Sequence, residues 1–244
     1  MPLFTIVQNA ADVIGIKRPA YVFGNSDSGA RAMLAMLNQL GRSLAKMRDS
    51  GGNCWPELNK LFEVETIPGE FRYELPDDYY TIIKKTAWAA DQYHRLDDPQ
   101  SPSDWAFHQN ALADVSLYPR FRLAADNQGK YIELDPVPGG SETIQFQYIS
   151  KNWVKNGGNM FISDAEEPVF DEYLMELGLI AKYTQRRGLP FAYELAQFEE
   201  ERDRQLGSAS GSRDINLTKN PLQETWQLGE TVGMADGTIR TTLG

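Results

Sequence analysis

LFEVETIPGEFRYEL, residues Leu61 to Leu75, is the stretch on which the fold class turns. Phe62, Val64 and Thr66 alternate with Glu63 and Glu65, and Phe71, Tyr73 and Leu75 alternate with Glu70, Arg72 and Glu74. A period of two puts each apolar set on one face of an extended strand. Between them, Pro68 presets one turn dihedral and Gly69 accepts the positive φ of a type II turn. The stretch therefore predicts two strands joined as a hairpin.

Upstream the period is helical. Leu3, Ile6, Val7, Ala10 and Ile14 predict an amphipathic helix over residues 2–15, with Pro2 in its first turn and Gly15 at its stop. A second helix is predicted from about Ser26 to Asp49, where Met33, Leu37, Leu40, Leu44 and Met47 form one stripe and Ser26 or Asp27 can cap the start. Within its approach, Gly24 to Gly29 reads GNSDSG. Ala30 and Arg31 stand where a phosphate loop needs Lys and Ser or Thr, so the segment is read as a loop and cap.

Downstream, Tyr79 to Trp88 is read as a strand or short helix and Ser103 to Leu112 as a helix carrying Trp105. Strands are predicted at Arg120 to Ala124, Tyr131 to Leu134 and Thr143 to Ile149, separated by Asp126, Asn127 and Gly129 and then by Pro136, Pro138, Gly139 and Gly140. A helix from near Glu167, with Pro168 in its first turn, carries the stripe Phe170, Leu174, Leu177 and Ala181 and stops at Arg186, Arg187 and Gly188. Another opens at Pro190 with Phe191, Leu195 and Phe198 on its apolar side, giving a helical hairpin. From Gly207 a Gly/Ser linker leads into a tail through Gly244 without a sustained period. Leu222, Trp226, Leu228 and Ile239 are spaced singly there, which suits a segment laid along a partner.

The expected fold is α+β. Residues 1–56 and 156–206 form a discontinuous helical bundle, residues 57–155 form an inserted antiparallel β unit, and residues 207–244 form an extended partner-binding tail.

Composition narrows the function. With 244 residues, about 70–75% of the unfolded chain's surface can be buried without staples. Cys54 is the single cysteine, so no intrachain disulfide is possible. No apolar run reaches the 18 residues or more that would span a bilayer, and the first residues lack the basic start of a secretory signal, so the mature chain is expected to begin near Met1 without a membrane partner. The net charge of −10 repels phosphate backbones at long range. It suits a wall that DNA slides past.

Catalytic signals are lacking. His94 and His108 sit in no HExxH pattern, no GxSxG elbow is present, and the pairs Asp77–Asp78 and Asp97–Asp98 lack EF-hand spacing. No catalytic, cofactor-binding or metal residues are assigned. A hydrolase using His94 or His108 is the weakest reading; a receptor- or carbohydrate-binding β unit using Trp88, Tyr93 and Trp105 is the alternative to an assembly role.

Several strings stand in one order: FRYELPDDYY (Phe71 to Tyr80), SPSDW (Ser101 to Trp105), FQYISKNWV (Phe146 to Val154), SDAEEPVFDE (Ser163 to Glu172) and LGLIAKYTQRRGLPFAYELAQFE (Leu177 to Glu199). Over about residues 1–206 the chain resembles the head-to-tail adaptor (connector) proteins of tailed bacteriophages, the tail tubular protein A type included. The resemblance implies a structural virion protein with no cofactor: a twelve-copy ring beneath the portal protein that extends the DNA channel and docks the tail nozzle or tail fibres. It also implies a C-terminal segment that reaches a partner, a place in the virion neck, and the host cytoplasm as the site of assembly.

Overall fold

The computed structural model describes residues 1–48, 54–91, 94–97, 99–110, 119–127 and 129–209, all within the first of the chain's two units, Met1–Ser210. The fold is mixed α+β, with five helices and antiparallel sheets among the described residues.

The predicted hairpin is not one. The strand β1 (Asn59–Glu65) pairs along its length with β8 (Thr143–Ser150), whereas β2 (Arg72–Glu74) pairs with β7 (Lys130–Asp135) in a different sheet. The turn is nonetheless the one the sequence specifies, since Gly69 has φ +85° and the Glu70 amide donates to the Ile67 carbonyl at 3.0 Å. The Tyr73 hydroxyl donates to the Glu70 carbonyl (2.9 Å) and accepts from the Ile67 amide (2.9 Å). The bend is thus closed by a side chain instead of a strand ladder, and it carries the chain from one sheet to the other.

β8 is the central strand of a five-stranded antiparallel sheet. It has β1 on one edge and β3 (Tyr79–Ile82) and β4 (Trp88–Ala89) on the other, with β5 (His94–Arg95) outside β4. The second sheet runs β2-β7-β6, with β6 at Arg120–Ala125. The inward residues of both sheets, among them Phe62, Tyr73, Phe121, Ile132, Leu134, Ile144 and Phe146, form one buried cluster. Phe146 is its hub, 4.8 Å from the Phe62 ring and 6.2 Å from Phe121.

A second buried cluster joins α1 (Leu3–Ile14), α2 (Ser28–Leu44), α4 (Glu172–Arg186) and α5 (Ala192–Ala209). The predicted stripes face it: Leu3, Ile6, Val7 and Ala10; Met33, Leu37, Leu40 and Leu44; Phe170, Leu174 and Leu177. Asp27 caps α2 by accepting from the Ala30 amide (2.9 Å), and Asp171 caps α4 through Leu174 (3.2 Å). Pro2 precedes α1 instead of lying within it, and the first amides of that helix donate to the backbone carbonyls of Glu166 and Asp164. Helix approach is close at two glycines, where a Cβ would meet Trp153 at Gly41 (2.5 Å) and Leu40 at Gly178 (2.4 Å).

Further boundaries differ from the sequence reading, and α5 opens at Ala192 instead of at Pro190. Pro168 lies outside α4 and bridges to Val154 in extended geometry. α2 stops at Leu44, before the predicted Asp49. Gly207 and Ser208, expected to begin the linker, are the last turn of α5, which is anchored by buried Leu206. Burial of that leucine outweighs the helix cost of about 1 kcal/mol for a glycine. The predicted short helix exists as α3 (Pro102–Asn110).

Candidate functional site

β8 physically joins the two cores. Ile144, Phe146 and Tyr148 belong to the sheet cluster, whereas Ile149, one residue on, and then Trp153 and Val154 belong to the helical cluster. Asp78 locks this junction, because its carboxylate accepts from Lys60 Nζ (2.6 Å), Ser150 Oγ (2.8 Å) and the Tyr148 hydroxyl (2.9 Å). Burial favours the neutral acid, but the three donors together hold the Asp78 carboxyl below the usual aspartate value. Burial and the neighbouring Asp78 charge push the Tyr148 phenol up, so it stays a donor.

The outward face of the three-stranded sheet carries a row of charges in register. Arg72, Glu133 and Arg122 are direct cross-strand partners. Glu133, 2% exposed, accepts from Arg72 Nη2 (2.6 Å) and Arg122 Nε (2.6 Å). Burial alone raises a carboxyl, yet the two guanidinium groups keep Glu133 below the usual glutamate range. Arg122 also lies 4.7 Å over the ring of Trp105, which α3 lays on this face. Such a row fixes strand register and gives no reactive group. The sequence signal for it was present: Arg120 and Arg122, and Glu133 and Asp135, occupy the alternate positions opposite the apolar ones.

The connection between α1 and α2 is held by a loop that sequence reasoning did not single out as functional. Asp164 accepts from the amides of Val22 (3.0 Å) and Phe23 (2.6 Å), and buried Glu166 accepts from those of Ile162 and Ser163. These bonds fix Tyr21, Phe23 and Ile162 with their side chains exposed. Beside them, Ile16, Ala30, Met33 and Tyr183 floor a cavity of about 470 Å³, with Lys17, Arg18 and Arg187 around its mouth.

The residues proposed from sequence fall as follows. Leu222, Trp226, Leu228 and Ile239 lie outside the described residues. Of the receptor- or carbohydrate-binding set, Trp88 is 40% exposed on the outer face of the five-stranded sheet and Trp105 is 3% exposed against the other sheet, so these two are not brought together. Its third member, Tyr93, lies outside the described residues. His94 is on β5 and His108 on α3 beside the Phe107 ring. No group of three His, Cys, Asp or Glu side chains placed to hold a metal occurs among the described residues, and no helix there is long and apolar enough to cross a membrane.

A family profile, that of the SU10 adaptor protein, matches residues 1–223. The chain belongs to the SU10 adaptor protein family. This is a family of phage head-to-tail adaptors, which makes the adaptor a structural protein of the virion neck and implies contact with phage portal and tail components. The family is not typically enzymatic. The match runs past α5 to residue 223, so it takes in Leu222 and stops short of Trp226, Leu228 and Ile239. No curated protein matches the chain.

Proposed function

We propose that this adaptor forms a homo-oligomeric ring, of twelve copies, beneath the portal protein, where it extends the DNA exit channel and docks the tail nozzle or tail fibres. The observation that carries this reading is the family match over residues 1–223, nearly the whole chain. The structure supports it in kind. A subunit that bears load between a head and a tail benefits from two cores spliced by one strand, and β8 with its Asp78 lock is such a splice. The net charge of −10 suits a channel that lets DNA pass without holding it.

Within this reading, residues 1–56 and 156–206 are one discontinuous helical bundle and residues 57–155 a β unit inserted into it; the separate apolar clusters support the division. The segment after α5 is the arm that reaches a partner, with Leu222, Trp226, Leu228 and Ile239 as its contacts. An arm held by its own ring acts at high effective concentration, so weak single contacts suffice. Assembly in the host cytoplasm precedes its place in the virion.

Sedimentation velocity of the full chain, alone and with the portal ring of the same virus, tests the proposal. A fixed ring-like stoichiometry on the portal is expected. A truncation ending at Ala209 is expected to melt as the full chain does and to dock more weakly; equal docking by the truncated chain would remove the arm from the reading, and no co-sedimentation of the full chain would remove the ring.

A further inference from the structure

The cavity between the α1–α2 connection, the first turn of α2 and the end of α4 is unused by anything described above. Its floor is apolar, built from Ile16, Ala30, Met33 and Tyr183, and its volume of about 470 Å³ lies in the range that takes a side chain or small ligand. Its mouth is cationic in a chain of net charge −10. Arg18 is paired with Asp12, and Asp27 is committed to capping α2. Lys17 and Arg187 are exposed, and among the described residues neither forms an ion pair with a carboxylate. Arg187 is also preorganised: its ion lies 5.2 Å from the Tyr183 ring centre, and its Nε and Nη2 donate to the Tyr183 hydroxyl at 3.2 and 2.7 Å. Holding the guanidinium there lowers the entropy lost when its remaining N–H groups meet an anion.

From this geometry we infer that the cavity is a docking pocket for an acidic peptide segment of a partner protein. One bulky apolar side chain fills the floor, and flanking carboxylates meet Lys17 and Arg187. The inference rests on the adaptor reading, which identifies portal and tail proteins as the chains that present such a segment. A duplex does not fit as well, because the enclosed floor is apolar and the chain's overall charge repels phosphates. Beside the cavity, Asp164 pins the α1–α2 connection through the Val22 and Phe23 amides.

The test uses the full chain labelled with [13C-methyl]methionine, the Met33 signal being assigned by Met33→Leu, and overlapping synthetic peptides spanning the portal and tail-nozzle proteins of the same virus. Peptides that bind are expected to carry acidic residues around one large apolar residue and to shift the Met33 methyl. Lys17→Glu with Arg187→Glu is expected to weaken them roughly tenfold, from the loss of two charge-assisted contacts. Ala20→Trp, which narrows the mouth without touching the floor, should weaken them as well; thermal melts confirm that both variants fold. Peptides that leave Met33 unmoved, binding indifferent to both variants, or a DNA duplex that moves Met33 in place of the peptides would overturn the inference. Portal rings that still co-sediment normally with Ala20→Trp, while no peptide enters the pocket, would sink the pocket and leave the adaptor reading standing. Wild-type chain that joins neither portal nor nozzle would sink both.

Discussion

Gly41→Ala is expected to destabilise the adaptor although it replaces a poor helix former with the best one. In an open helical site the change gains about 0.8–1 kcal/mol. Here the added Cβ would stand 2.5 Å from three ring atoms of Trp153. That ring cannot step aside easily. It is fully buried, its Nε1 donates to the Asn159 carbonyl at 2.8 Å, and it is held edge-on by Phe161 (4.9 Å) and stacked with Phe170 (6.4 Å). Overpacking costs about 1–3 kcal/mol, and a ring held on several sides puts this site near the upper figure. The net loss is then about 2 kcal/mol, a fall in Tm of roughly 4–8 °C for a domain of this size. Thermal melts by circular dichroism, with urea titration as a second measure, read it. Gly207→Ala, where nothing lies within 4 Å of the new Cβ, serves as the open-site control and should hold or raise Tm. Combining Gly41→Ala with Trp153→Leu should cost less than the sum of the two changes, because the second removes what the first strikes. A Gly41→Ala protein that melts at or above the wild type would refute the reasoning.

Acid should weaken the core junction before it weakens the helices. Asp78 and Glu133 both have folded values below their ordinary ones, so their contribution is complete above about pH 5 and is lost as the pH falls through the ordinary and then the depressed folded values. Melting between pH 7 and 3 should therefore fall more steeply for the wild type than for Asp78→Asn, and parallel curves would assign the acid lability elsewhere. Asp164→Ala is expected to speed hydrogen exchange at the Val22 and Phe23 amides by tenfold or more while moving the global Tm little, as suits a connection opening locally; unchanged exchange would mean that the loop holds itself.

Element type was legible wherever a local period existed. The α1 and α2 stripes, the cap at Asp27, and the strands at 120–125, 130–135 and 143–150 all follow from which side chains can face a core from one helix or strand. The site was less legible. Lys17 and Met33 are far in the chain from Tyr183 and Arg187, and only the packing of the N-terminal helices against α4 places the two pairs around one cavity. The row Arg72, Glu133 and Arg122 needs three strands in register before its charges meet.

By itself, then, the sequence determined an acidic α+β chain with helices at both ends of a β segment, the turn at Pro68-Gly69, and a resemblance to phage adaptors that the family match upholds. What only the tertiary structure decided was partnership. The alternation in Leu61–Leu75 says which face of each strand is buried, but an antiparallel edge accepts any strand of matching face, so whether β1 and β2 meet each other or separate partners depends on the rest of the molecule. Phe62 has Phe146 opposite it and Tyr73 has Ile132, and burying both pairs against each other makes a two-sheet core that a hairpin would have left half exposed. Trp105 followed the same rule: it is an aromatic residue whose burial was set by the arginine and strand beneath it, and no local pattern records either.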